Sequence, residues 1–293
     1  MNNFINLSLE EQWSCISPHI KLQTDFKELT NPIVIRTYKD CIKKILGLNK
    51  LKKRSEDFVK NAYDDKWISR DSQTSIDEGG NVGVTWKSSR FVVSGLGLRR
   101  LQTLRIMKLI EKIKPKSVLD IGCGNGERIL QLACRFPEIK FTGIDLTTGG
   151  IETAKKIQNL KQLTDSLIEI SPQPLIDLTA HKQAKFICSS AKNIPFQDNS
   201  FDLVYTSLAL EQMETIRGQV MKEIYRVCNQ HVSFYEAFKD YNKNLLQLSY
   251  IYSQSYFRGE LNDLFNLGYQ NIEVMIDIPQ KINMNAVFVL AKK

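Results

Sequence analysis

Histidine is scarce in this sequence: His19, His181 and His231 are the only three in 293 residues. Imidazole candidates for acid–base work are therefore few. The six cysteines, Cys15, Cys41, Cys123, Cys134, Cys188 and Cys228, are scattered and form no Cys-x-x-Cys pair. That argues against a zinc site and against a disulfide framework. They read as reduced, small apolar residues of a cytoplasmic protein. No apolar run approaches the roughly 20 residues that span a bilayer. The first ten residues, Met1 to Glu10, lack the basic start and apolar core of a signal peptide. Internal repeats and low-complexity tracts are absent as well.

What is present is ordinary for a soluble globular protein, with 25% charged and 42% hydrophobic residues. The length allows one large domain, or a domain with an appendage. The net charge is +8. Its densest source is Lys43, Lys44, Lys50, Lys52, Lys53 and Arg54. A solvated helix face explains such a run better than an RNA-binding patch does, because a charge run alone is weak evidence. Nothing in the sequence sets an oligomeric state.

Residues 1–95 read as a mainly helical N-terminal region. Thr37 to Tyr63 is helical with a break at Gly47-Leu48-Asn49, and Asp71 to Gly83 reads as a loop. A helix from about Leu98 to Ile113 gathers Leu101, Leu104, Ile106, Met107 and Ile110 on one side, and Pro115 closes it. Seven strand-like runs follow, beginning near Ser117, Lys140, Ala184, Phe201, His231, Ile272 and Ala286, with helical stripes in most of the gaps. This alternation predicts a parallel α/β sheet. The last link, Ile278 to Asn285, is too short for a parallel crossover, so the last two strands are expected to be antiparallel.

The most informative stretch is Ser117-Val-Leu-Asp-Ile-Gly-Cys-Gly-Asn-Gly-Glu127, a buried strand running into a Gly-x-Gly-x-Gly turn. A second strand, Lys140 to Asp145, ends in an acid about twenty residues after the glycines, the spacing of a nucleotide-binding βαβ unit. A dinucleotide fingerprint requires Gly-x-Gly-x-x-Gly, and here the third glycine comes one residue early. Asp120, just before the glycines, would sit badly beside a pyrophosphate and well beside an ammonium group. A ligand with both a ribose and a cationic amino acid suits both acids, and S-adenosylmethionine is such a ligand.

At these residues the chain resembles the class I S-adenosylmethionine-dependent methyltransferases. Ser189-Ser-Ala-Lys-Asn-Ile-Pro-Phe196, Phe201 to Met213 and Glu223-Ile-Tyr-Arg-Val227 carry the likeness onward, from about Lys116 to Phe238. The ubiquinone-biosynthesis type, the methyltransferase type 11 domain, is the nearest in character. The resemblance implies a Rossmann-like, seven-stranded, mostly parallel sheet with an antiparallel last strand. It would occupy residues 96–293, with insertions at 161–182 and 239–257, and the helical N-terminal region would serve as a cap or docking element. The implied cofactor set is Asp120, Gly122, Gly124, Gly126, Asp145, Leu146, Ser190 and Ala191. Asp145 would hold the ribose hydroxyls and Asp120 the methionine ammonium. Ser190 stands where the family usually has an aspartate at the adenine edge, and its uncharged hydroxyl makes a weaker acceptor.

Leu208 to Glu211 would line the methyl-transfer channel. Thr206-Ser-Leu-Ala209 replaces the Asn/Asp-Pro-Pro-Tyr/Phe of adenine-modifying relatives, no Pro-Cys dipeptide offers a covalent cytosine route, and no carboxylate cluster suits magnesium. Glu211 and Glu236 are the acid–base candidates, each weighed against a structural cap. His181 reads as a surface residue that could instead reach the site. Tyr63, Trp86 and Phe91 could close over the cofactor, although packing is the simpler role. The expected activity is metal-independent methyl transfer to an oxygen, nitrogen or carbon of a small molecule. Two alternatives stand beside it. One is an RNA or protein methyltransferase docking through the basic region; the other is a non-catalytic cofactor-binding subunit.

Overall fold

The computed structural model describes residues 7–48, 54–68 and 79–293. Lys50, Lys52 and Lys53 of the basic cluster, and residues 71–78 of the expected loop, lie outside the described residues. Helix α1 (Leu9–Ile16) opens on a capping box, in which Ser8 and Glu11 satisfy each other's backbone amides. α2 (Phe26–Ile45) starts at the Asp25 cap, and the chain turns out of it at Gly47, whose φ of 68° suits glycine. α3 (Glu56–Ile68) follows.

The N-terminal region is not wholly helical. β1 (Asn81–Trp86) and β2 (Ser89–Ser94) form an antiparallel hairpin, so Asn81 to Gly83 belong to a strand and not to a loop. The hairpin was hard to see because its turn residues, Lys87 and Ser88, take φ values of 45° and 66° without the usual glycine or asparagine.

α4 (Gly95–Ile113) is capped by Ser94 and buries Leu101, Leu104, Ile106, Met107, Leu109 and Ile110. The core then runs through β3 (Ser117–Ile121), α5 (Glu127–Arg135), β4 (Lys140–Asp145), α6 (Thr148–Gln158), α7 (Asp165–Glu169), β5 (Lys185–Cys188) and β6 (Phe201–Ser207). It continues with α8 (Arg217–Val227), β7 (Cys228–Glu236), α9 (Leu245–Gln254), α10 (Leu261–Leu267), β8 (Gln270–Met275), β9 (Gln280–Lys281) and β10 (Val287–Lys292).

Seven strands form one sheet in the order β5-β4-β3-β6-β7-β10-β8. The five from β5 to β7 are parallel, and β10 runs antiparallel to both β7 and β8. The short link between β8 and β10 therefore does what its length requires. One face of the sheet is covered by an apolar layer that includes Leu104, Ile129 and Ile151 of α4, α5 and α6. The other face packs Val220 and Ile224 of α8 and Leu264 of α10 against Val204, Phe234 and Val289. The chain goes β3-β4-β5 toward one edge, then returns to β6 on the other side of β3. The cleft at that reversal, beyond the carboxyl ends of the strands, is where open α/β sheets take ligands.

The N-terminal elements lie against this edge. β9 adds to β1, pairing Val84 with Lys281 and Thr85 with Gln280. α2 packs on α9, and the Lys44 ammonium donates to the Tyr252 carbonyl at 2.6 Å. The first insertion, 161–182, folds back onto α5. Gln131 donates to the Leu167 carbonyl, and the Ile176 and Asp177 amides donate to the Cys134 carbonyl. His181 is buried there rather than on the surface, with Nδ1 2.9 Å from the Leu178 carbonyl, and it lines neither of the cavities described below.

Candidate active site

Gly122, Gly124 and Gly126 adopt φ values of 78°, 56° and 73°, the left-handed backbone that explains glycine at all three. Their surroundings differ. A Cβ on Gly122 would strike the Ala209 side chain and one on Gly124 the Trp67 indole. One on Gly126 would strike Phe186 and Ala154. Gly122 and Gly124 border cavities; Gly126 caps α5 inside the packing.

Two cavities of about 300 Å³ each meet at the carboxyl ends of β3 and β6, sharing Trp67, Gly122, Ser207 and Leu208. The first is bordered by Gln102, Asp120, Gly124 and Arg128, and extends toward Met284. The second is bordered by Asp145, Leu146, Ala191, Glu211 and one face of α3. That face is Glu56, Val59, Tyr63 and Trp67, spaced three and four residues apart as a helix stripe must be.

Asp145, at the end of β4, is a staple. Its Oδ2 accepts from the Gly124 amide at 2.8 Å, and its Oδ1 accepts from the Thr147 amide at 2.8 Å and the Thr147 hydroxyl at 2.5 Å. Asp120, at the end of β3, is buried and accepts from the Tyr205 hydroxyl at 2.7 Å. Burial pushes its carboxyl up to about 6, against the lowering pull of Arg128 and of the Tyr205 bond. Arg128 donates to the Gln102 side chain at 3.1 Å, while its buried Nε has no hydrogen-bond partner. A buried guanidinium donor left unpaired is costly.

Beyond β6 the chain makes a tight turn. Leu208 takes φ 54°, rare for a residue with a side chain, and its amide donates to the Tyr235 carbonyl at 2.9 Å. Glu236 holds this turn from beneath, its Oε1 accepting from the amides of Ala209 and Leu210 at 2.9 and 3.1 Å. Glu236 is fully buried and borders neither cavity. Burial pushes its carboxyl up to about 8. It is placed as a cap of the turn and not as a group open to substrate. Glu211 stands in the cavity wall one turn further on, accepting from its neighbour Gln212 at 3.0 Å. The Tyr63 hydroxyl is pushed up to about 12 by burial and by the charge of Glu211.

Ser190 borders neither cavity, although its neighbours Ser189 and Ala191 border the second. Its hydroxyl donates to Glu56 of α3, and the Lys192 ammonium pairs with the same carboxylate. Asp64 of α3 accepts from the Gly149 amide at 2.8 Å. Trp86 and Phe91 pack on Trp13, the simpler of the two roles expected of them. Sequence reasoning missed Glu56, Asp64, Trp67 and Arg128. The stripe Glu56-Val59-Tyr63-Trp67 was the available signal for α3, whereas Arg128 had none beyond its place after the glycines. Among the described residues no three His, Cys, Asp or Glu side chains gather as metal ligands.

A sheet with an antiparallel strand near its edge, a glycine turn after β3 and an acid ending β4 define a Rossmann-like α/β protein with a cleft beyond its strand ends. Residues 119–235 match the family described as a methyltransferase domain. The malonyl-[acyl-carrier protein] O-methyltransferase of Legionella pneumophila is 28% identical over 134 residues, which cover 46% of this chain and 38% of that protein. The ubiquinone/menaquinone biosynthesis C-methyltransferase UbiE of Rickettsia bellii is 27% identical over 131 residues, 45% of this chain and 47% of that one. These matches span less than half the length of either relative. Among solved structures, the [4+2]-cyclase SpnF superposes with a TM-score of 0.55 at 16% identity, covering 82% of this chain and 96% of that one, a likeness of fold. Residues 119–235 thus carry a methyltransferase domain of the class I S-adenosylmethionine-dependent type.

Proposed function

We propose that the chain transfers a methyl group from S-adenosylmethionine to a small molecule held beneath α3. The observation that carries this reading is the pair of cavities meeting at Gly122, Ser207 and Leu208. Asp145, Leu146 and Ala191 would hold the adenosine part of the cofactor. The glycine turn, Asp120 and Arg128 would hold its amino-acid part, with carboxylate on Arg128 and ammonium on Asp120. The bound cofactor supplies a methyl group already activated on a sulfonium. The protein's work is then alignment and exclusion of water, and proximity of this kind is worth several kcal/mol, up to roughly 7–11. Trp67 and Tyr63 close the cleft from above, and Glu211 would orient the acceptor or take its proton.

Two features favour a small acceptor over RNA. Glu56, Val59, Tyr63 and Trp67 of α3 wall the second cavity, so the cleft is not an open groove on that side. Of the basic cluster, Lys44 and Arg54 point inward, Lys44 onto the Tyr252 carbonyl and Arg54 onto the Gln254 carbonyl at 2.7 Å. The test is to supply S-adenosylmethionine carrying a labelled methyl group to fractionated cell extract with the purified protein. Label is expected in the small-molecule fraction. Label confined to RNA or protein would overturn the reading.

A further inference from the structure

We infer that Glu56, on the first turn of α3, recognises the exocyclic amino group of the cofactor's adenine. The inference rests on the cofactor reading above. Glu56 borders the same cavity as Asp145, Leu146, Ser189 and Ala191, although it lies 89 residues before Asp145 in the chain. Its Oε1 accepts from the Ser190 hydroxyl and its Oε2 from the Lys192 ammonium. A carboxylate oxygen accepts two hydrogen bonds, so each keeps one acceptor site after these contacts. Burial alone would raise its pKa, but the Lys192 and Ser190 hydrogen bonds outweigh that and hold it below the usual range.

An ionised carboxylate only accepts. On the edge of adenine the amino group is a donor and the ring nitrogens are acceptors, so the amino group is the partner chemistry allows. The other acids bordering this cavity are placed elsewhere. Asp145 already takes three hydrogen bonds, one from Gly124 and two from Thr147, and Glu211 lies beyond β6. Ser190 has committed its proton to Glu56, and its oxygen accepts from the Lys192 amide at 3.2 Å. The charge at this edge thus comes from α3, across the cleft.

The experiment compares calorimetric binding of S-adenosylhomocysteine with that of its analogue carrying purine in place of adenine, which lacks only the amino group. The wild-type protein is expected to prefer the adenine compound at least tenfold. In Glu56→Ala the preference is expected to collapse to within about threefold, a remainder well under the 1.4 kcal/mol of a tenfold preference. Lys192→Ala breaks the same ion pair while keeping the carboxylate, and is expected to retain the preference. If both variants weaken the two ligands equally and leave the ratio intact, Glu56 is only a clasp for α3 and the inference falls. Should Glu56→Ala fail to fold, loss of the preference in Lys192→Ala would overturn it just as directly. Failure of the wild type to bind S-adenosylhomocysteine at all would sink the cofactor reading instead.

Discussion

Asp145 and Gly124, 21 residues apart in sequence, are joined by a 2.8 Å hydrogen bond from the glycine amide to Oδ2 of the carboxylate. The acid at the end of β4 therefore shapes the glycine turn as well as facing the cavity. A sequence reading assigns such an acid to ribose alone. Here it also holds the glycine turn, so a change at Asp145 reaches the turn as well as the proposed ribose contact.

Asp145→Ala is accordingly expected to lower both cofactor affinity and thermal stability. Hydrogen bonds to a charged group contribute about 1.5–3 kcal/mol each. Loss of one on the ligand side means at least tenfold weaker binding of S-adenosylhomocysteine. Loss of the Gly124 and Thr147 contacts is expected to lower the melting temperature by several degrees, given that about 1 kcal/mol shifts a domain above 150 residues by roughly 2–4 °C. Calorimetry and melting curves on one preparation check both halves. Wild-type affinity in the variant would remove Asp145 from the cofactor site.

The buried, unpartnered Nε of Arg128 makes a second prediction. If this guanidinium receives the amino-acid carboxylate, the wild type will bind S-adenosylhomocysteine at least tenfold tighter than its decarboxylated analogue. Arg128→Gln keeps a donor but not the charge, and is expected to bring the two ligands within about threefold. The comparison reads the carboxylate contact alone, because adenosine and ammonium are common to both ligands. An undiminished preference in the variant would assign the carboxylate to another residue.

Glu236 titrates where the fold must pay for its charge. Its carboxyl is raised by burial to about 8, above the 4.5 of a free glutamate, so the folded protein holds a proton that the unfolded chain has released. Stability from this group is fully present below about pH 4.5 and declines as the pH rises toward 8, by at most about 1.4 kcal/mol per pH unit. Glu236→Gln keeps an acceptor for the Ala209 and Leu210 amides and cannot ionise. It is expected to match the wild type near pH 5 and to melt higher at pH 8. Parallel melting curves at both pH values would show that the charge of Glu236 carries no cost.

Much of the sheet was legible because its rules are local. The apolar runs at Val118 to Ile121 and Leu203 to Thr206 could be little else than buried strands, and the short link after β8 forced β10 to run antiparallel. The glycines were legible as a turn, but not their division of labour, since the neighbours of Gly124 and Gly126 come from residues 67, 154 and 186. The hairpin was missed because its turn lacks the residues that usually mark one. Glu236 read as a possible catalytic group because its position at a strand tip is visible in sequence, whereas its burial depends on β6, β7 and β10 closing around it. The contribution of α3 was the least legible, as a helix gives no sign of which distant cleft it will cover.

Glu211 borders the cavity beyond β6, and its removal should separate chemistry from binding. It stands in the cavity wall beyond β6, and its charge helps hold the Tyr63 hydroxyl up to about 12. Glu236 holds the turn that presents it. General acid–base groups typically contribute about 10²–10⁴-fold to rate. Glu211→Gln, which keeps size and polarity but loses the charge, is therefore expected to lower turnover by that order once an acceptor is known. Affinity for S-adenosylhomocysteine is expected to stay within about threefold, because the cofactor contacts proposed above do not involve Glu211. Single-turnover rates and calorimetry on the same variant make the separation. If turnover holds and only the melting temperature drops, Glu211 is a structural cap, and alignment of the acceptor against the activated methyl must account for the reaction.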